Sequence, residues 1–265
     1  MRPSVGNFTP GGALVARRIL ESRFLSSTLS TRMSHPLDNP TWTALTTLQA
    51  PLAKVEGPAR RFPPDVTTHG AFAEATADAW AALSRIATQP VTLTSLQPLV
   101  IPAGWTITRC VELYEMVQDD GDWLRESGRN TLPGDSIEDL TAADLPQMAT
   151  LYEATRPGRK LSPQLYELGG FVGIRHQGQL VAMACLRLHC PGYREISTVA
   201  TSPGHTGRGY GTALVTELAQ RILDHGEAPF LTVRTDNTRA IEIYRRLGFR
   251  ERVQLYSTTL RFDGA

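Results

Sequence analysis

The chain has 265 residues, 41% of them hydrophobic and 20% charged, with a formal net charge of +1. That is material for one large domain or two modest ones, with no global field to recruit nucleic acid or an anionic membrane. No apolar stretch approaches the length needed to cross a bilayer; Cys110, Cys185 and Cys190 form neither a disulfide framework nor a CxxC metal pair. The expectation is a cytoplasmic protein with buried, reduced thiols, no metal, and neither nucleic acid nor membrane as a partner.

Residues 1–35 read as a disordered leader. Arg2, Arg17, Arg18, Arg23 and Arg32 stand against one acid, Glu21, among several serines. This composition suits an organelle transit peptide and equally an upstream start, since Met33 opens a segment with the look of an ordinary beginning.

An N-terminal α+β half is expected over 36–130. Trp42–Ala50 reads as helix, and the alanine-rich stretch Ala71–Ala87 is its clearest helix, with Phe72, Ala75, Ala79 and Leu83 near one face. Strand-like runs follow at Val91–Leu93, Trp105–Cys110 and Val111–Val117. None of this carries a chemical motif. Ser127–Ser136, SGRNTLPGDS, is rich in turn formers and is expected as a linker.

The C-terminal half, 135–265, alternates more regularly. Ser136–Leu140 reads as strand, and Thr141 with Asp144 three residues on opens a helix through Ala154. Ser162–Leu168 is a short helix. Phe171–His176 and Leu180–Leu188 form a hairpin around Gln177-Gly178-Gln179. Tyr193–Thr201 is strand, Gly207–Leu223 helix, Phe230–Arg234 strand, Asn237–Leu247 helix and Arg252–Arg261 strand. The fold class is α/β, with a mixed α+β sheet covered by helices.

The informative stretch is Val199–Leu214, VATSPGHTGRGYGTAL. A strand runs through Pro203 and Gly204 into a glycine-rich turn that opens an amphipathic helix. Gly207, Gly209 and Gly211 remove side chains where backbone N–H groups must approach an anion, and the helix start adds free donors and a positive dipole end. A P-loop fails, because Tyr210 stands where its lysine must be. A dinucleotide fingerprint fits weakly, because the sixth position from Gly207 is Thr212.

The stretch instead resembles the diphosphate loop of the GNAT superfamily of acyl-CoA N-acyltransferases, [QR]xxGx[GA]. Here it reads Thr206-Gly207-Arg208-Gly209-Tyr210-Gly211, departing at Thr206 from the usual arginine or glutamine. Downstream, Asn237–Phe249, NTRAIEIYRRLGF, is similar to the superfamily's Nx(2)Ax(3)Yx(3)GF element. The resemblance covers about half the chain. A GNAT half behind a less recognisable N-terminal half also resembles the glycine N-acyltransferase-like branch.

The resemblance implies an enzyme with acetyl-CoA, or another acyl-CoA, as co-substrate and a small-molecule or peptide amine as acceptor. The amine attacks the thioester directly in a ternary complex. Val199, Ala200 and Thr201 would pair with pantetheine along a splayed strand edge. Thr206 to Thr212 would hold the diphosphate. Asn237 would bond the pantetheine arm, and Ala240 would keep the helix thin beside it. Gly248 would end that helix and Phe249 would pack beneath it. Glu195 is the candidate general base; strand period would put Glu195, Ser197 and Val199 on one face, and the competing reading is an ion pair with Arg194 or another cation. Tyr244, two helical turns past Asn237, is the candidate general acid. A nucleophile at Cys190 beside His189 is the weaker alternative chemistry. A non-catalytic acyl-CoA sensor and a protein-interaction module are the competing functions. The N-terminal half could shape the acceptor pocket, be a degenerate copy of the fold or mediate a homodimer.

Overall fold

A computed structural model of the chain describes residues 35–118 and 136–264. All but the last residue of the expected leader, and all but the last of the expected linker, lie outside them. Eleven strands and five α-helices are formed by the described residues.

Pro40–Thr46 is α1, capped by the Asn39 side chain, which accepts from the Trp42 N–H. Three short strands follow, β1 (Lys54–Glu56), β2 (Ala59–Arg61) and β3 (Gly70–Phe72), forming a small antiparallel sheet. The alanine-rich helix is shorter than its composition suggests. Ala71 and Phe72 belong to β3, and α2 runs Ala77–Ile86 behind the Thr76 N-cap. Trp80 on α2 meets Trp105 edge-on at 5.5 Å, at the centre of a cluster with Leu83, Val91 and Leu260.

All remaining strands join one eight-stranded sheet in the order β4-β11-β5-β10-β9-β8-β7-β6. These are β4 (Val91–Ser95), β5 (Trp105–Val117), β6 (Ile137–Leu140), β7 (Phe171–His176), β8 (Gln179–Cys190), β9 (Tyr193–Thr201), β10 (Ala228–Arg234) and β11 (Arg250–Phe262). The two expected runs at 105–110 and 111–117 are one continuous strand. The β7–β8 hairpin turns on Gln177 and Gly178, both at positive φ, 51° and 79°, the backbone that two-residue hairpin turns need. Thr141 and Asp144 form a reciprocal capping box, which leads into α3 (Leu145–Thr155).

The expected boundary between the halves does not divide this sheet. β5, from the N-terminal half, lies between β10 and β11, antiparallel to both. α4 (Tyr210–Asp224) and α5 (Thr238–Arg246) cover one face, burying Leu214, Leu218, Ile222 and Ile241 against Val172, Ile196 and Leu231. Each such leucine or isoleucine contributes about 1.5–3 kcal/mol. α1, α3 and a 3-10 segment at Pro163–Leu168 cover the other face through Leu45, Met148 and Leu165. No helix among the described residues is long and apolar enough to cross a membrane.

Candidate active site

Only one neighbouring pair in the large sheet is parallel, β9 with β10. It pairs over Tyr193–Glu195 and Ala228–Phe230, and then the strands part. On its other edge β9 carries an irregularity. Cys185 faces Ser197 and Met183 faces Ala200, so two residues of β9, Thr198 and Val199, stand opposite one of β8. Thr198 has φ 53°, an unusual conformation for a β-branched residue. This bulge adds a residue and re-aims those that follow. It also corrects the expected facing: Glu195 looks into a cavity on the α1/α3 side, whereas Val199 packs under α4.

The glycine turn follows β9 directly. Gly207 and Gly209 have φ 81° and 83°, left-handed backbone that side chains disfavour, and Gly209 is the N-cap residue of α4. At the start of α4 the Ala213 N–H donates to the Gly209 carbonyl, 2.9 Å, and the first-turn amides of a helix have no intrahelical acceptor, so those of Gly211 and Thr212 can face an anion. The space in front of the turn is open: a Cβ on Gly204 would meet nothing within 4 Å, and one on Gly207 only Arg239 Nη2, at 4.0 Å. Arg239, from the first turn of α5, thus reaches back over the loop beside Arg208. Nothing in its sequence context singles it out. Thr206 and Arg208 are exposed. The Tyr210 side chain is in the core, 4% exposed, so it can offer the loop only its backbone. Gly211 lies close to Val199 and Thr201, and Thr212 is in the first turn of α4.

Asn237 caps α5, its Oδ1 accepting from the Ala240 N–H at 3.3 Å, and Ala240 packs on the same core as Tyr244. Phe249 is buried at the helix's end, with Gly248 before it, as expected. Tyr244 is half-buried and edge-on to Phe249 at 6.2 Å; burial pushes its phenol up to about 12, against the opposing pull of Arg156. Arg156, at the C-terminus of α3, donates from Nη2 to the Val199 carbonyl at 3.2 Å. One main-chain acceptor of the splayed strand is therefore already engaged.

Glu195 is 1% exposed and is held from β8. Arg187 donates from Nε to Oε2 at 2.9 Å and from Nη2 to Oε1 at 2.6 Å, and the Leu188 N–H reaches Oε2 at 3.3 Å. The ion-pair reading of Glu195 is the one its geometry matches, with Arg187 as partner in place of Arg194. Arg194 instead donates to the Leu168 carbonyl. Burial works against the Arg187 charge, and Glu195 outweighs it, leaving the guanidinium above its usual value. Both oxygens of this carboxylate are thus engaged by donors from β8. The thiols are no alternative: burial pushes Cys185 and Cys190 up to about 12, and His189 pairs with Glu227 at 2.6 Å.

Glu195 and Arg187 form part of the wall of a cavity of about 480 Å³. Thr198 on β9 and Thr232 on β10 also line it, so it reaches the place where those strands part. Its far wall comes from the N-terminal half, including His69 and Arg109. Thr67 Oγ1 lies 2.8 Å from His69 Nδ1; burial, then Arg187, holds His69 well below the usual histidine range. These residues escaped the sequence reading because they come from separated segments with no motif among them.

Comparison with known proteins bears on the family and the fold. The family described as FR47-like protein matches residues 171–258. N-alpha-acetyltransferase RimI of Mycobacterium tuberculosis is 39% identical over 98 residues, 36% of this chain and 60% of that protein. Mycothiol acetyltransferase of Streptomyces avermitilis is 29% identical over 152 residues, 56% of this chain and 44% of that protein. The chain thus spans about half the length of these curated relatives. A GNAT-related protein of Streptococcus suis shares the fold over 94% of this chain and all of its own, TM-score 0.57 at 17% identity. The glycine N-acyltransferase-like branch stays a resemblance of the sequence alone. A solved GNAT-family structure from Novosphingobium aromaticivorans superposes with TM-score 0.75 at 30% identity, over 86% of this chain and 99% of its own. With that match along almost the whole of both, the chain belongs to the GNAT family of acyl-CoA-dependent N-acetyltransferases.

Proposed function

We propose that the protein transfers an acetyl group from acetyl-CoA to a primary amine by direct attack in a ternary complex. The observation that carries this is the parting of β9 from β10 beyond Glu195 and Phe230, with an open glycine turn at one end and a cavity at the other. The amides of Gly207 to Thr212 and the Arg208 and Arg239 cations suit a diphosphate. Apart from the Val199 carbonyl, which Arg156 engages, the edge of β9 from Val199 to Thr201 that has left β10 suits an extended amide-bearing arm, with Asn237 and Ala240 on α5 as further candidate contacts. An N–H of that edge would polarise the thioester oxygen.

Tyr244 keeps its proton through the physiological range and serves as a hydrogen-bond donor to the departing sulfur. Glu195 fixes Arg187 and so acts by positioning. An acceptor that presents a peptide α-amino group needs no strong base, because such a group titrates near 7.7–8.0 in ordinary surroundings.

Calorimetry with acetyl-CoA tests the reading. Wild type binds, and Gly209→Trp, which fills the cradle, does not. A wild type that fails to bind acetyl-CoA, or a Gly209→Trp variant that binds it normally, would sink the assignment.

A further inference from the structure

The cavity beyond the strand gap is cationic without matching acids. Arg109 on β5, with Arg159 and Lys160 just after α3, line it. Among the described residues, none of the three has a carboxylate within ion-pair distance. Arg234, which also lies near Arg109, is already paired with Asp236. Burial first, then the charges of Arg159 and Arg234, pull Arg109 below its usual value. Arg109 is half-buried while Arg159 and Lys160 are exposed, and like charges gathered around one cavity disfavour one another. A bound anion offsets that repulsion, and a planar guanidinium matches an oxyanion's paired oxygens.

A second observation is independent of charge. Thr41 on α1 lines the same cavity and is 1% exposed, yet among the described residues its Oγ1 has no hydrogen-bond partner. A buried hydroxyl without a partner is rare and costs free energy unless something supplies one. Further hydroxyls form the floor: Thr92 Oγ1 lies 2.9 Å from Thr68 Oγ1 and 3.0 Å from Thr259 Oγ1. None of the glycine-turn residues lines this cavity, so its cations are separate from those suited to the diphosphate.

We infer that the acceptor is a small amine carrying an anionic oxygen group, carboxylate or phosphate, which Arg109, Arg159 and Lys160 hold while the amine points to the gap between β9 and β10. This deepens the acetyltransferase reading and rests on it for the amine. At about 480 Å³ the space suits a compact molecule. Polycationic amines and lysine-rich tails meet like charge and are turned away.

The test is binding of matched ligands by calorimetry, without acetyl-CoA. The pairs are glycylglycine against glycylglycinamide, β-alanine against its amide, and O-phosphoethanolamine against ethanolamine, with spermidine as the polycation. The anionic member of at least one pair is expected to bind about tenfold tighter than its neutral mate, as a charge-assisted contact predicts. Which pair does so separates carboxylate from phosphate. Arg109→Gln and Arg159→Gln, which break no ion pair, should each narrow that preference to about twofold. Equal binding within every pair, tighter binding of spermidine, no binding by any ligand, or an undiminished preference in both variants overturns the inference. A protein that fails to bind acetyl-CoA yet keeps the anion preference would defeat the transferase reading alone.

Discussion

Arg187 grips Glu195 across the β8–β9 pair with two parallel hydrogen bonds, at 2.9 and 2.6 Å, immediately before β9 parts from β10. The pair closes the cavity wall beside the gap. Removing one partner leaves the other largely buried and uncompensated. Glu195→Gln should cost about 3 kcal/mol of stability in urea denaturation, and adding Arg187→Met should restore most of it. The pH–rate profile of Glu195→Gln should keep the wild-type shape. Loss of its acidic limb would return Glu195 to the role of proton acceptor.

Tyr244→Phe tests the donor to the leaving sulfur. Turnover should fall about 100-fold, the usual effect of losing one preorganised donor. Acetyl-CoA affinity, read by calorimetry, should hold, because the ring and its contact with Phe249 remain. A wild-type rate removes the role.

Gly209→Ala places a Cβ on backbone at φ 83°. The variant should lose about 1–2 kcal/mol of stability and bind acetyl-CoA more weakly, while Gly204→Ala, in open space at ordinary φ, should do neither. Thermal melts with and without acetyl-CoA distinguish the two.

Glu115 is fully buried beside Arg252, Nε to Oε1 2.5 Å, which also reaches Asp38 at 2.9 Å. Burial, only partly opposed by Arg252, raises its carboxyl to about 7. The folded protein therefore holds a proton that the unfolded chain releases at lower pH. Stability from this group is full below about pH 4.5 and is lost as pH rises through about 7. Measured at pH 5 and pH 8, Glu115→Gln should gain on wild type by about 1–3 kcal/mol over that interval. A pH-independent difference between the two proteins counts against the raised value.

What the sequence made legible was local. Tyr193–Thr201, the Thr141–Asp144 box and the Gln177-Gly178 turn are dictated by neighbours in the chain, and each stands where its residues put it. The glycine turn and the α5 cap were readable for the same reason. Ala71 and Phe72 misled because alanine content imitates helix, while the real determinant is Gly70, packed so tightly that a Cβ would lie 2.6 Å from Val91. The face of Val199 was misjudged because strand alternation is blind to a bulge. Arg109, Arg159 and His69 had no local signal, since only strand order and helix docking bring them to one cavity.

The place of β5 also bears on how the protein is made. Its partners in the sheet are β10 and β11, and its first residue, Trp105, pairs with Phe262. During synthesis β5 leaves the ribosome long before either partner exists, so both of its edges wait unpaired until β10 and β11 have followed. Pairing of β5 is therefore a late event that closes long loops. In that interval a thirteen-residue strand with two open edges is a ready template for a neighbouring chain, and yield in the cell should depend on how quickly β10 and β11 arrive.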